Sequence, residues 1–282
     1  MYKKMNFTLT QGKFYDKHPV FLPWSQVLIK HNLKLLYRLK EIYIKKDLDK
    51  LGMKKGSSVL EVGSGQGIFL NRLSSYYNVI ALGVDVSDDS IKYANKYCSD
   101  NNLKFIKASA TNLPFKDKNF DTIVSFDTME HVKNQNKMLS EIIRVLKQNG
   151  KFLVYTLNSK DDFTLDWFWA KIGFDIYKRA MHKRELFVDS HKMINDLKDM
   201  GIKSLKINYY GGLFTIGFDE ILMVFLLVLG KLGLFKYDLL GEVIFYVLDK
   251  LSRIIYPAFN YLDSFWYKKG YSLGFSVSGT KE

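Results

Sequence analysis

Cysteine is nearly missing from this chain of 282 residues: Cys98 stands alone. One thiol excludes an intrachain disulfide and a cysteine-based zinc site, and it fits a reducing compartment. Long apolar runs are scarce too. Met1-Tyr2-Lys3-Lys4-Met5-Asn6 leads into no apolar stretch of the kind a secretory signal needs, so a cytoplasmic location is expected. Ile221 to Leu229 is uninterrupted but too short to span a bilayer. Counting back to Leu213 reaches about the minimum span, yet it takes in Asp219 and Glu220, which are costly in lipid. The stretch reads as a buried or interfacial cap helix rather than a transmembrane span. There is no internal repeat and no low-complexity segment.

What is present is a globular composition, 47% hydrophobic and 25% charged, which argues against disorder. The length suits one large α/β domain with additions, or two small domains. The net charge of +13 is unevenly placed: residues 1–57 hold 13 Lys/Arg against 4 Asp/Glu, and residues 211–282 hold 7 against 7. A localised basic segment suits an anionic surface, whether membrane lipid, nucleic acid or substrate, and serves equally as a solvated face. Pro23 to Leu51 reads as a helix. Ile29, Leu33, Leu36, Leu39 and Tyr43 line one face, and Lys30, Lys34, Arg38 and Lys45 line another.

From Ser58 strands and helices alternate. Strands are predicted at 58–62, 79–85, 103–107, 120–126 and 150–156, with helices at 68–77, 87–101 and 134–147. That alternation predicts a parallel, doubly wound α/β sheet. Two further strands are expected at 203–210 and 274–278. Between them lies an apolar helical insert, Leu213 to Leu229 and Leu239 to Tyr256. Another insert, Asn158 to Val188, carries Trp167 and Trp169. The chain therefore divides into a basic N-terminal segment (1–57), a core (58–210), an apolar insert (211–270) and a final strand with its tail (271–282).

The chemistry sits first in Glu61-Val62-Gly63-Ser64-Gly65-Gln66-Gly67, which follows a strand and opens a helix. Absent side chains let the backbone turn sharply and approach a ligand. The spacing is G-x-G-x-G, not the G-x-G-x-x-G of dinucleotide enzymes, and Glu61 would repel the pyrophosphate such a loop receives. A carboxylate there suits an ammonium group. Asp85, eighteen residues after Gly67 at the end of the second strand, can accept both hydroxyls of a ribose.

Val59 to Gly67 resembles the first motif of class I methyltransferases that use S-adenosylmethionine (SAM), and Gly83-Val84-Asp85-Val86-Ser87 resembles the second. Ala110-Thr111-Asn112-Leu113-Pro114-Phe115 is similar to the segment after strand three in the type 11 branch. Phe120 to Ser125 with Glu130-His131-Val132 is similar to that branch's fourth strand and following helix. Arg144 to Gly150 resembles its "RVLKPGG" turn, with Gln148-Asn149 replacing Pro-Gly. The resemblance covers residues 58–156. It implies a Rossmann-like sheet of seven strands with the last antiparallel, and SAM as cofactor. It implies that Glu61, Gly63, Ser64, Gly65 and Gly67 hold the methionine part, Asp85 the ribose, and Val86 the adenine face. Ser109, where the family often has Asp, and Ala110 would meet the adenine amino group. Phe126 and Asp127 would flank the transferred methyl.

Methyl transfer from a sulfonium is an in-line displacement, and a base helps only if the acceptor must lose a proton. His131, soon after strand four, is the first candidate base and His182 the second. Glu130 and Tyr155 follow. A packing or capping histidine and an exposed loop histidine are the plain alternatives. No cluster has metal-ligand spacing, so no metal is expected. The apolar inserts, Trp266-Tyr267 before Lys268-Lys269, and the basic helix favour a peripheral enzyme at the membrane surface acting on a lipid-like or other apolar small molecule. Two alternatives stand beside it: an RNA methyltransferase using the basic segment on phosphate, and a non-catalytic SAM-fold partner protein. The chain has no recognisable RNA-binding module and no Asn-Pro-Pro-Tyr-type motif after strand four, so nucleic acid is not the expected partner.

Overall fold

A computed structural model describes residues 39–173, 182–232 and 238–282. Helix α1 (Leu39–Leu51) precedes β1 (Ser58–Val62), α2 (Ile68–Tyr77), β2 (Ile80–Asp85), α3 (Asp88–Tyr97), β3 (Leu103–Lys107) and β4 (Phe120–Phe126). A 3-10 turn (Met129–His131), α4 (Gln135–Val145), β5 (Leu146–Leu157) and α5 (Leu165–Lys171) follow. A second 3-10 turn (Arg184–Leu186), α6 (Ser190–Asp199), β6 (Lys206–Tyr210), α7 (Leu213–Lys231), α8 (Asp238–Tyr267) and β7 (Gly274–Thr280) complete the chain.

The seven strands form one sheet in the order β3-β2-β1-β4-β5-β7-β6. The first five are parallel, and β7 runs antiparallel to both β5 and β6. The α/β sheet and its antiparallel last strand are therefore as expected. Strand order reverses between β1 and β4, and ligands of open α/β sheets bind beyond the carboxyl ends of the strands at such a switch point. The Gly-rich loop leaves β1 at that point.

Strand periodicity distributes the core. Val59 points to one layer and Leu60 to the other; Leu153 and Tyr155 alternate with Phe152 and Val154 in the same way. The first layer packs on Ile44, Leu48 and Leu51 of α1, Leu70 and Leu73 of α2, and Ile91 and Ala94 of α3. The second packs on Met138, Leu139 and Ile142 of α4 and Met193 and Leu197 of α6. Capping follows local chemistry: Ser87 accepts from Ser90 N ahead of α3, Asn134 from Lys137 N ahead of α4, and Asp189 from His191 N and Lys192 N ahead of α6.

Several boundaries differ from the sequence reading. Helix α4 stops at Val145, because Leu146 is already buried and paired with Phe120 in the sheet. Strand β5 thus gains Leu146 to Asn149, and Asn149 takes a left-handed conformation (φ 60°) whose N–H donates to Lys281 O. The second long helix runs from Asp238 to Tyr267, well past Tyr256. The basic helix expected from Pro23 is described only from Leu39, so Lys30, Lys34 and Arg38 lie outside the described residues.

Helices α7 and α8 pack against each other and reach the sheet through Ile216 and Tyr256. Asp219, which counted against a membrane span, is buried in the cap helix and accepts from Tyr256 Oη at 2.6 Å. Among the described residues no helix is long and apolar enough to cross a membrane.

Candidate active site

The Gly-rich loop is built by three glycines in the left-handed region, Gly63 (φ 81°), Gly65 (φ 50°) and Gly67 (φ 77°). Two of them also have no room for a side chain. A Cβ on Gly63 would lie 2.0 Å from Thr128 Oγ1, and one on Gly67 would lie 2.4 Å from the Phe105 ring. Gly65 faces open space, so only its backbone conformation demands glycine. The N–H groups of Gly63 and Ser64 both donate to Val84 O, which fastens the loop to the end of β2. Gly67 caps α2 without a side chain. The start of that helix is thus open toward the loop.

Asp85 joins the two motifs. One carboxylate oxygen accepts from Gly65 N at 2.9 Å and the other from Ser87 N at 2.9 Å. These bonds orient the carboxylate between the two motifs. Behind it, Glu61 is only 2% exposed, and its Oε2 has no hydrogen-bond partner. Burial, then the nearby charge of Asp85, push the Glu61 carboxyl up to about 8. The buried Ser64 hydroxyl also lacks a partner. Two orphaned polar groups beside a glycine turn form a cradle whose missing partner must carry donors, and an ammonium group fits a carboxylate that resists ionising without one. The residues present therefore fit the amino-acid end of SAM.

The remaining expected contacts surround this cradle. Val86 is exposed at 49%, an apolar side chain open beside Asp85. Ser109 is exposed and spends its hydroxyl locally, accepting from Thr111 N and sharing a hydrogen bond with Thr111 Oγ1 at 3.0 Å. Ala110 is buried next to it. Phe126 meets Phe69 of α2 edge to face, with ring centroids 4.5 Å apart. Asp127 adopts φ 48°, and its N–H donates to Tyr155 O. That turn carries the chain back past the Gly loop, so that Thr128 abuts Gly63.

Past Thr128, the 3-10 turn buries Glu130, whose Oε2 accepts from Thr156 Oγ1 of β5 at 2.8 Å. His131 lies against His182, ring centroids 4.6 Å apart. Burial, then the second imidazole, hold His131 down at about 4, so it is neutral at physiological pH. The two candidate bases are thus neighbours, though fifty-one residues separate them in sequence. Tyr155, a further candidate, instead packs in the core and stacks on Tyr210.

Sequence reasoning missed two contributors. Phe105 lies under Gly67 and Gly83, and Thr128 fills the hollow at Gly63. Fold-level contacts alone reveal them. Glu130, a further candidate from the sequence, joins the two histidines in one cluster, which nothing in the spacing indicated.

A family model described as the methyltransferase domain matches residues 60–154. An uncharacterized protein, MJ0638, of Methanocaldococcus jannaschii is 31% identical over 214 residues, covering 72% of this chain and 78% of its own. This chain belongs to the SAM-dependent methyltransferase family. It is also 29% identical over 245 residues to the ubiquinone/menaquinone biosynthesis C-methyltransferase UbiE of Rickettsia felis, covering 76% of this chain and 95% of that one. Other curated relatives are matched over less of their length. The chain spans 65% of one, and 35% of the sterol 24-C-methyltransferase erg6 of Schizosaccharomyces pombe, at 29% identity over 144 residues and half of this chain. In fold it is similar to phosphoethanolamine N-methyltransferase 2 of Haemonchus contortus, at a TM-score of 0.64 and 18% identity, covering 99% of this chain and 60% of that one.

Proposed function

We propose that this protein transfers a methyl group from SAM to an apolar, lipid-like small molecule by in-line displacement. The observation that carries the cofactor reading is the pair of orphaned groups, Glu61 Oε2 and Ser64 Oγ, behind a glycine turn held by Asp85. Bound SAM supplies a methyl group on a sulfonium, a good leaving group that needs no further activation.

The chain's own residues then bind and align. Glu61, Gly63, Ser64, Gly65 and Gly67 would take the methionine part, Asp85 the ribose hydroxyls, and Val86 one face of the adenine. Ser109 and the backbone of Ala110 would meet the adenine amino group, Ser109 by exchanging its local bond to Thr111 Oγ1. Phe126 and Asp127 flank the methyl end, where the Phe69–Phe126 pair helps to exclude water. His131, held neutral by its burial, and His182 beside it would face the acceptor side, in reach of a group that must lose a proton.

Two lines support an apolar acceptor at a membrane surface. Relatives are named for sterol and quinone methylation. Helices α7 and α8 leave Ile221 (70% exposed), Phe225, Val228, Ile254 (72%), Tyr261 (78%) and Phe265 open. Exposed apolar side chains in this number on two helices favour a lipid or membrane contact over water.

Calorimetry with SAM tests the cofactor half: wild type binds, and Asp85→Ala loses at least about tenfold in affinity, the worth of one good charge-assisted hydrogen bond. No SAM binding by the wild type removes the enzymatic reading. Methyl-labelled SAM incubated with cell lipid extracts tests the acceptor, with a labelled organic-soluble product expected. Label found only in water-soluble metabolites would overturn the apolar assignment.

A further inference from the structure

Glu130, His131 and His182 converge beyond the carboxyl ends of β4 and β5. One donor atom from each lies within 4.8 Å of the others. We propose that these three side chains bind a first-row divalent transition metal, which holds an oxygen of the methyl acceptor. The role in methyl transfer rests on the function proposed above; the metal site does not.

The donor set selects the ion. Two imidazoles and one carboxylate suit zinc, ferrous iron or manganese, whereas magnesium and calcium prefer an all-oxygen shell. Three protein ligands are also the number that leaves a coordination position open, as in catalytic rather than structural zinc sites. Ligands about 2.1 Å from a tetrahedral ion stand roughly 3.4 Å apart. The cluster therefore needs to contract by about an ångström when the ion binds.

Surrounding bonds place the Glu130 side chain and the two segments that carry the histidines. Thr156 Oγ1 of β5 fixes the Glu130 carboxylate, the kind of outer-shell hydrogen bond that orients a ligating group. Gln135 Nε2 donates to Leu186 O at 2.6 Å and to Met129 O at 3.4 Å, clasping the turn that carries His131 to the segment that carries His182. That segment is tied to the sheet a second time: Val188 N donates to Leu157 O, and Ser159 N to Val188 O. Arg184 pairs with the buried Asp161.

The location makes the site chemically useful. Thr128, at the head of the same turn, abuts Gly63 of the proposed cofactor loop. A hydroxyl bound to the ion loses its proton to solvent more readily, because the cation stabilises the oxyanion. That oxygen then forms its bond to the methyl carbon as the carbon–sulfur bond breaks, and the electron pair of the broken bond stays on sulfur. No oxidant or further reactant is needed.

The test uses tag-free protein stripped with chelator and titrated with Co2+, whose visible absorption reports imidazole ligation. The wild type is expected to take up one ion per chain with new visible bands. His182→Ala and Glu130→Gln should each weaken binding by at least about tenfold. His191→Ala, at an exposed histidine outside the cluster, should leave it unchanged. Circular dichroism and SAM calorimetry on the same variants confirm that they fold. Absence of cobalt uptake by the wild type, or equal affinity in His182→Ala, overturns the site. SAM binding without cobalt binding removes the metal site alone. Cobalt binding without SAM binding keeps the site and removes the methyl-transfer role.

Discussion

The glycine-loop region and the α7–α8 hairpin are fixed by contacts of different reach. In the loop region the anchors are close in sequence: Gly63 and Ser64 bond to Val84, Gly65 bonds to Asp85, and Asp85 bonds to Ser87. In the hairpin they are distant. Asp263 of α8 accepts from Phe214 N, Thr215 N and Thr215 Oγ1, capping the start of α7 from nearly fifty residues away. Gly212 exists to admit that carboxylate, since a Cβ there would lie 2.3 Å from it. The first region holds two buried polar groups without partners beside a glycine turn, Glu61 Oε2 and Ser64 Oγ. In the second the Asp263 joint is satisfied, while Ser252 Oγ and Asn260 Oδ1 elsewhere on α8 are buried without partners. The proposed function assigns the polar groups of the first to the cofactor, whereas the Asp263 joint serves architecture.

Adding one methyl group to the loop should give the largest effect. Gly67→Ala meets the Phe105 ring and adopts a left-handed conformation, a combined cost of about 3 kcal/mol. Thermal unfolding should fall by roughly 6–12 °C. Gly65→Ala carries the backbone cost alone, about 1 kcal/mol, and should shift unfolding far less. Equal losses in the two variants would show that Phe105 yields easily and that the packing argument is wrong.

Asp263→Ala comes next. It leaves buried donors at the start of α7 without their acceptor and should cost about 2–3 kcal/mol. Hydrogen exchange should quicken in α7 and α8 while SAM affinity stays within about twofold, because the perturbed bonds are local to the hairpin. A tenfold fall in SAM affinity would mean that the two regions are coupled, and the contrast drawn between them would fail.

The same contrast explains what was legible. The five parallel strands were readable because each is a short apolar run closed by a turn or capping signal, and Asp85 and the glycines because their spacing is local. The last strand's antiparallel direction followed only from the resemblance to known methyltransferases. Asp219 counts against a membrane span in the sequence, and the helix is no span; what the sequence does not show is Tyr256, whose hydroxyl satisfies it. Asp47 is a similar case. It is buried and accepts from Tyr210 Oη, Ser276 Oγ at 2.6 Å and Asn208 Nδ2 at 3.0 Å, joining α1 to β6 and β7. His131 and His182 were each visible, but their pairing depends on how the segment after α5 returns to the end of β5.

The last prediction probes the orphaned carboxyl of Glu61 through pH. With its folded value raised to about 8, Glu61 keeps a proton that the unfolded chain sheds near 4.5. The folded state then binds more protons between these limits, so stability falls as pH rises through that window, by at most about 1.4 kcal/mol per pH unit. Below about 4.5 the group contributes nothing, and above about 8 its full cost is present. Glu61→Gln should flatten this dependence. An ammonium group placed beside the carboxyl reverses the balance by favouring the charged form. Cofactor binding at pH 7 should therefore release about one proton to the buffer, and the release should fade above pH 8. Calorimetry in buffers of different ionisation enthalpy measures it directly. Release that persists unchanged in Glu61→Gln would assign the proton to another group and take Glu61 out of the cofactor site.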